Sequence, residues 1–503
     1  MNEAPSIVTA GWVLVIGYMA LVLFFVIRGA RKSRTMADYA VGNIAFSPIA
    51  VGLALAASMT SAATFIINPG FIALYGISGV ISYALALPAA AMISLVVLTK
   101  GFRAYGSTVK ALSMAQWMGS RYNSKAYGFF FAVLSLLLVT FIVLIVVGLV
   151  KVLSKTLDVS ELSVLLGVVL FIFGYMAFGG ANSMVYTNTI QALLMLIVAV
   201  VLLTSGFDHF SEGVHGFLDK LRAIDPNLVR PTNPDSFLFR DWFEIIFTQV
   251  VVGVAIVCQP HIITKSLLLK TDRDVNRYLT TGVIVEIIFF AVVFAGLYAR
   301  LAFPDLTMNG EPLKMDGIIS AYVVQEFPVY IGLVVVLGLI SAGISTLEGL
   351  IQALSTTITK DIVEPLFGKR LPSDETTRDR VLQRINKSAI AVLAVVSIWL
   401  SWDQLVNPKL SVAIFAQNGV YAYFSAAFLP ILFGMFLKDV PKAAPIAASI
   451  TAIVVHFTIS LGNVPIPGTL ASGQNPGVAS AMAIVASVFV GGGIYFATRG
   501  KAA

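Results

Sequence analysis

Apolar runs succeed one another from end to end of this chain, at 7–28, 47–75, 77–99, 126–152, 160–178, 183–205, 241–264, 277–300, 326–358, 387–402, 410–436, 443–462 and 477–497. About 18 to 20 such residues cross the hydrocarbon core of a bilayer as a helix. A lipid-exposed segment must satisfy its own backbone hydrogen bonds, which leaves helices or closed barrels. Runs of this length and uniformity are helical, so the expected class is an all-α integral membrane protein with thirteen transmembrane helices. Charged residues make up 12% of the chain and hydrophobic ones 58%, against about 25% charged in a soluble domain. No soluble domain of useful size fits between the runs, so 1–503 reads as a single membrane domain.

The charges define an orientation. Met1–Ser6 carries Glu3 and no basic residue, which argues against a signal peptide and for a retained first helix with its N-terminus outside. An odd number of spans then puts the C-terminus in the cytoplasm. Under this topology 24 of the 33 Lys and Arg face inward, Lys265 and Lys270 among them, in keeping with the positive-inside rule. The net charge of +7 therefore belongs to short membrane loops and gives no sign of nucleic-acid binding. The expected location is a plasma membrane of the bacterial inner-membrane type. The single cysteine, Cys258, excludes a disulfide framework. Residues 213–224 read as a short amphipathic surface helix, and 359–386 as a charged, solvated linker.

Leu53–Tyr75 departs from a simple span. Ser58, Thr60, Ser61 and Thr64 crowd its middle, and Asn68-Pro69-Gly70 follows as a second expected interruption. A helix broken inside a membrane must line a protein-enclosed cavity, where its freed carbonyls can hold a cation. The span at 241–264 carries Gly253 and Cys258-Gln259-Pro260-His261 and reads as interrupted too. With 7–28 set aside as a leading helix, 47–205 and 241–436 become two five-helix halves, each opening on an interrupted helix. That layout is the mark of an inverted repeat; 443–497 then supplies two peripheral helices.

Two acidic residues fall inside spans, Glu348 and Glu286, with no Lys or Arg expected at their depth. A carboxylate at mid-membrane costs roughly 2.5–3.5 kcal/mol on insertion scales, so it faces a cavity, a cation or several donors. Just before Glu348, Ser345 and Thr346 place two hydroxyls side by side, hard ligands suited to a small cation. The alternative is back-bonding to the preceding turn, common for Ser and Thr in membrane helices. The four histidines are scattered, and His261 reads as a packing or gating residue. No metal-ligand spacing, phosphate-binding loop or catalytic set is present, which disfavours an ATP-driven pump and a membrane enzyme. No organic cofactor is expected.

Several of these motifs resemble the sodium:solute symporter family over about 7–436. Ala57-Ser58-Met59-Thr60-Ser61 ahead of Pro69-Gly70 is similar to the family's first core helix. Gly179-Gly180 followed by Tyr186-Thr187-Asn188-Thr189-Ile190-Gln191 resembles its fifth, and Gln259-Pro260-His261-Ile262 its sixth in the proline permeases. Ala342-x-x-Ser345-Thr346 with Lys360-Asp361 resembles its eighth. The resemblance implies a LeuT-type 5+5 inverted repeat. It also implies sodium held by the backbone carbonyls of Ala57, Thr60 and Ala342 with the hydroxyls of Ser345 and Thr346. A solute would lie beside it at the midplane, touching Ser61, Thr64, Gln259, Gln417 and Asn418, with Tyr83 a further contact. The chain departs from the pattern at Asn188, where the family usually has aspartate. Glu348 is expected to replace that acid beside Asn188, as an auxiliary cation site or proton carrier.

The expected activity is sodium-coupled symport of a small organic solute by alternating access. An organic acid leads, since the segment at 223–229 resembles the pantothenate-permease branch; a proline-like amino acid or a sugar is the alternative. A facilitator channel and a membrane sensor are the other classes. Sodium, the solute and the lipid bilayer are the expected partners.

Overall fold

The computed structural model describes residues 7–43, 45–61, 63–108, 110–269, 271–407 and 411–499. Met1–Ser6, on which the outside N-terminus was argued, and Lys270 and Lys501 of the inward basic set lie outside the described residues. Among the described residues, ten helices are long and apolar enough to cross a membrane. Two further pairs meet that test only together, each bent sharply at a short break. One more apolar helix, Glu161–Met176, has 16 residues.

The first broken span joins Pro48–Met59 to Ala63–Tyr75 at 58°. Its first half ends at Met59, and Thr60 turns extended at φ −98°, ψ 103°. Hydroxyl side chains favour such an ending because they can bond the local backbone themselves; the Ala63 N–H donates to Ser61 Oγ at 3.1 Å. Asn68-Pro69-Gly70 does not interrupt the span a second time. A wide turn over Ala63–Ile67 leads directly into the helix Asn68–Tyr75. Pro69 stands in the first turn of that helix, where a missing N–H is tolerated.

The second broken span joins Phe243–Ile256 to Pro260–Leu268 at 55°. Gln259 is extended at φ −69°, ψ 137°, and Pro260 starts the second half, because the residue before proline is pushed out of the helical region. Gly253 takes no part in the break. It lies in the intact helix Gln249–Ile256, where a Cβ would come within 2.5 Å of the Leu87 carbonyl. Its role is close helix packing.

The helix Val329–Thr357 runs through the centre of the bundle, buried on every side from Gly338 to Gln352. It packs against Pro48–Met59, Val139–Leu157 and Ala181–Thr204. A second neighbour, Arg273–Ala302, lies beside the first broken span and runs parallel to it. Gly52 meets Tyr278, the Phe65 and Phe289 rings meet edge to face at 5.5 Å, and Gly296 meets Pro69. A Cβ on Gly296 would come 2.1 Å from the Pro69 carbonyl, so only glycine permits this approach.

The amphipathic helix at 213–224 is present as Gly213–Ile224. The charged linker is shorter than expected, since a 32-residue helix starts at Glu375 and continues to Val406. Asp374 caps it by accepting the Thr377 N–H at 2.8 Å, a side-chain cap that the acidic run at 374–375 supplies.

Candidate functional site

Met59 ends its helix without a following turn, so the last carbonyls of that helix lack helical partners. Val329–Thr357 meets them there. Ser345 Oγ donates to the Ala57 carbonyl at 2.6 Å and lies 3.0 Å from the Ala342 carbonyl of its own helix. Thr346 Oγ1 lies 3.2 Å from the Ala342 carbonyl and 3.4 Å from the Ser58 carbonyl. Four of the five residues implied as sodium ligands, Ala57, Ala342, Ser345 and Thr346, thus form one buried oxygen cluster. Thr60, the fifth, is implied through its carbonyl; its hydroxyl donates away from the cluster, to Glu286 Oε2 at 2.7 Å. The Ser58 carbonyl is an additional oxygen of the cluster. All these are hard, neutral donors, a set that fits a small monovalent cation.

Asn188 is tied to the same cluster. Its Nδ2 donates to Ser58 Oγ at 3.0 Å, and Ser58 Oγ donates to the Ser345 carbonyl at 3.3 Å. Glu348, on the central helix, meets Thr187, the residue before Asn188 on the facing helix. Its Oε1 accepts from Tyr175 at 2.5 Å and its Oε2 from Thr187 at 2.6 Å. The expectation that no basic residue reaches this depth is corrected by Lys265. Its side chain does not face the cytoplasm as counted from the sequence; it is only 3% exposed. Its ammonium makes no hydrogen bond among the described residues and lies within electrostatic range of Glu348. The bend at Gln259 causes this. It turns the Pro260–Leu268 half inward, so a lysine near the end of an apolar run packs inside the bundle.

Both breaks open onto one cavity with about 100 Å³ for the centres of water-sized molecules. Ser61, Thr64, Tyr83, Gln259 and Gln417 all line it, as expected. Asn418 does not. Its carbonyl faces His456 Nε2 at 3.0 Å and its Oδ1 accepts from Ser460 at 2.6 Å. The cavity face of that helix is centred on Ala413, Ala416, Gln417 and Val420, and Asn418, a further ~100° round from Gln417, falls on the side that meets Ala443–Gly462. Tyr421 lines the cavity too. Tyr421 was missed, although it stands one turn beyond Gln417 and helical spacing points to it. Asn68 and His261 also line the cavity. His261 has no partner for either ring nitrogen among the described residues, and its ring lies 6.1 Å from that of Phe141. Gln259 Oε1 is likewise unpartnered. No Lys or Arg lines the cavity among the described residues.

The chain is 26% identical to the sodium/pantothenate symporter of Escherichia coli (strain K12), over 89% of this chain and 90% of that protein. It is 22% identical to sodium/proline symporter 2 of Staphylococcus saprophyticus subsp. saprophyticus, over 89% and 86% of the two chains. Its fold matches that of a Na+-coupled sialic acid symporter solved substrate-bound and outward-open. The TM-score is 0.75 at 17% identity, covering 95% of this chain and 97% of that one. The model of the Sodium:solute symporter family matches residues 39–451, most of the sequence. With its two broken spans opening onto one cavity beside a buried oxygen cluster, the chain belongs to the sodium:solute symporter family.

Proposed function

We propose that the chain uses an inward sodium gradient to import a small organic acid, of the monocarboxylate or pantothenate kind, by alternating access. One observation carries the sodium half of this reading. The freed carbonyls of a broken helix and a hydroxyl pair from the central helix converge, with Ser345 Oγ 2.6 Å from the Ala57 carbonyl. Sodium held there would join the two elements, and its release would let them part. One sodium carried with one monocarboxylate anion moves no net charge, so the sodium concentration gradient supplies the drive; with a zwitterionic or neutral solute the membrane potential would add about 2.3 kcal/mol per 100 mV.

The cavity supports a small, partly apolar solute. Ser61, Thr64, Gln259 and Gln417 offer neutral hydrogen bonds, while Phe141, Leu144 and Phe290 offer apolar walls. A carboxylate would be held without a basic side chain, by hydroxyls and the N-terminal end of the Ala63–Tyr75 half-helix. A proline-like amino acid is the second reading, favoured by Gln259 and His261 of the Gln-Pro-His motif lining the cavity. At the auxiliary position, Lys265 gives Glu348 a cation belonging to the protein itself, so any added ion beside Glu348 and Asn188 would compete with it.

The same reading counts thirteen spans, with both bent pairs and Glu161–Met176 crossing the membrane, the N-terminus outside and the C-terminus cytoplasmic. The two breaks, bent by 58° and 55° near the start of each half, support the inverted repeat of 47–205 and 241–436. The test is a thermal-shift screen of purified protein against pantothenate, short monocarboxylates, proline and sugars, in sodium and in choline chloride. A solute of the first two groups should stabilise the protein only in sodium. Equal stabilisation in choline would remove the coupling, and a response confined to proline or a sugar would replace the substrate.

A further inference from the structure

Glu286 and Glu348 are both fully buried within spans, and they are unequally provided for. Glu348 has two hydroxyl donors and the nearby Lys265. Glu286 has one donor, Thr60 Oγ1 at 2.7 Å on Oε2. Its Oε1 has no partner, and no cationic side chain among the described residues acts on it. A buried carboxylate in that condition must either take up a proton or be joined by a positive charge.

Its place in the fold indicates where that charge would sit. Arg273–Ala302 runs in step with the first broken span: Tyr278 lies at Gly52, Gly282 at Leu55, Glu286 at Thr60, Phe289 at Phe65 and Gly296 at Pro69. Glu286 therefore falls at the break itself, after the helix has stopped at Met59 and before it resumes at Ala63. The stopped helix presents the negative end of its dipole there. The Glu286 carboxylate thus stands at a gap bounded by the carbonyl end of the stopped helix, whose negative dipole a cation would relieve, and by the N-terminal end of the half resuming at Ala63. A single carboxylate balances a single positive charge, and carboxylate, hydroxyl and carbonyl oxygens are hard ligands.

We infer that Glu286 and Thr60 form a second sodium site, facing Arg273–Ala302 rather than the hydroxyl pair of Val329–Thr357. The inference rests on the sodium-coupled reading above, yet uses none of the residues of the Ser345–Thr346 cluster. The transport cycle would then carry two ions, so that import of a monocarboxylate would move one net positive charge and the membrane potential would join the sodium gradient in driving it.

Binding of radioactive sodium to the purified full-length protein, read by scintillation proximity, separates the two sites. Wild type should bind about two ions per chain, Glu286→Gln about one and Ser345→Ala about one. Thr60→Val should weaken the second site roughly tenfold, as expected for losing one ligand to a charged group, and Glu286→Asp should keep it. Unchanged stoichiometry in Glu286→Gln, the result expected of a glutamate that holds a proton, overturns the inference. Should Glu286→Gln fold poorly, an unaltered sodium affinity in Thr60→Val overturns it instead. Loss of an ion in Glu286→Gln together with full binding in Ser345→Ala would leave this site standing and remove the hydroxyl-pair site.

Discussion

Lys265→Met tests whether the buried lysine and Glu348 act as a pair. Methionine keeps much of the side-chain length and removes the charge. Glu348 would remain fully buried, with Tyr175 and Thr187 still donating at 2.5 and 2.6 Å. Unit charges about 4 Å apart attract by about 4 kcal/mol at an effective dielectric constant near 20. Lys265 Nζ makes no hydrogen bond among the described residues; for charges about twice as far apart the attraction is ~2 kcal/mol. Glu348→Gln should be costly on its own, since an amide cannot accept from both hydroxyls as the carboxylate does; one mismatched buried donor costs about 1–3 kcal/mol. The double variant should then be more stable than the two single losses imply, by ~2 kcal/mol, because neither charge is left alone. Thermal unfolding in detergent, followed by intrinsic fluorescence in sodium-free buffer, reads all four proteins. Strict additivity of the two losses would show that the charges do not sense each other, and would refute the pairing.

Three further outcomes follow from the geometry. Gln259→Ala should raise the solute concentration for half-maximal uptake about tenfold, the effect of one neutral hydrogen bond, whereas Asn418→Ala should leave it within about twofold while loosening the Ala443–Gly462 helix that holds His456 and Ser460. Gly296→Ala should cost about 3 kcal/mol or more in thermal stability, since its Cβ would lie 2.1 Å from the Pro69 carbonyl; Gly167→Ala, with nothing within 4 Å of the added carbon, should be neutral or slightly stabilising. Asp374 titrates below its usual value because the Thr377 hydroxyl and N–H donate to it. A depressed folded value means that the cap stabilises above the ordinary carboxylate pKa of about 3.9 and weakens as pH falls through the lower folded value, so hydrogen exchange at 375–378 should accelerate only in that acidic range.

Much of this architecture was legible because the membrane forces it. A chain that must close its own backbone hydrogen bonds announces its helices by apolar length, and Ser58, Thr60 and Ser61 betrayed the first break for the same reason. Pro69 misled, because proline disrupts a helix interior yet suits a first turn, and which applies depends on where the preceding helix stopped. Lys265 was misplaced because a charge near the end of an apolar run reads as a loop residue until the bend at Gln259 is known. The error at Asn418 was one of phase: two adjacent amides look equivalent in sequence, and only the packing of Ala443–Gly462 decides which faces the cavity. The pairing of Thr60 with Glu286 joins residues 226 positions apart, and no local pattern encodes such a contact.

Hydrogen–deuterium exchange with and without sodium examines the ion's location most directly. Sodium should slow exchange in peptides spanning Leu53–Thr64 and Gly338–Leu350, and Ser345→Ala should abolish the slowing in the second of these. Sodium-dependent protection absent from both stretches, or unaltered in Ser345→Ala, would contradict the claim that a cation bridges the broken helix and the hydroxyl pair.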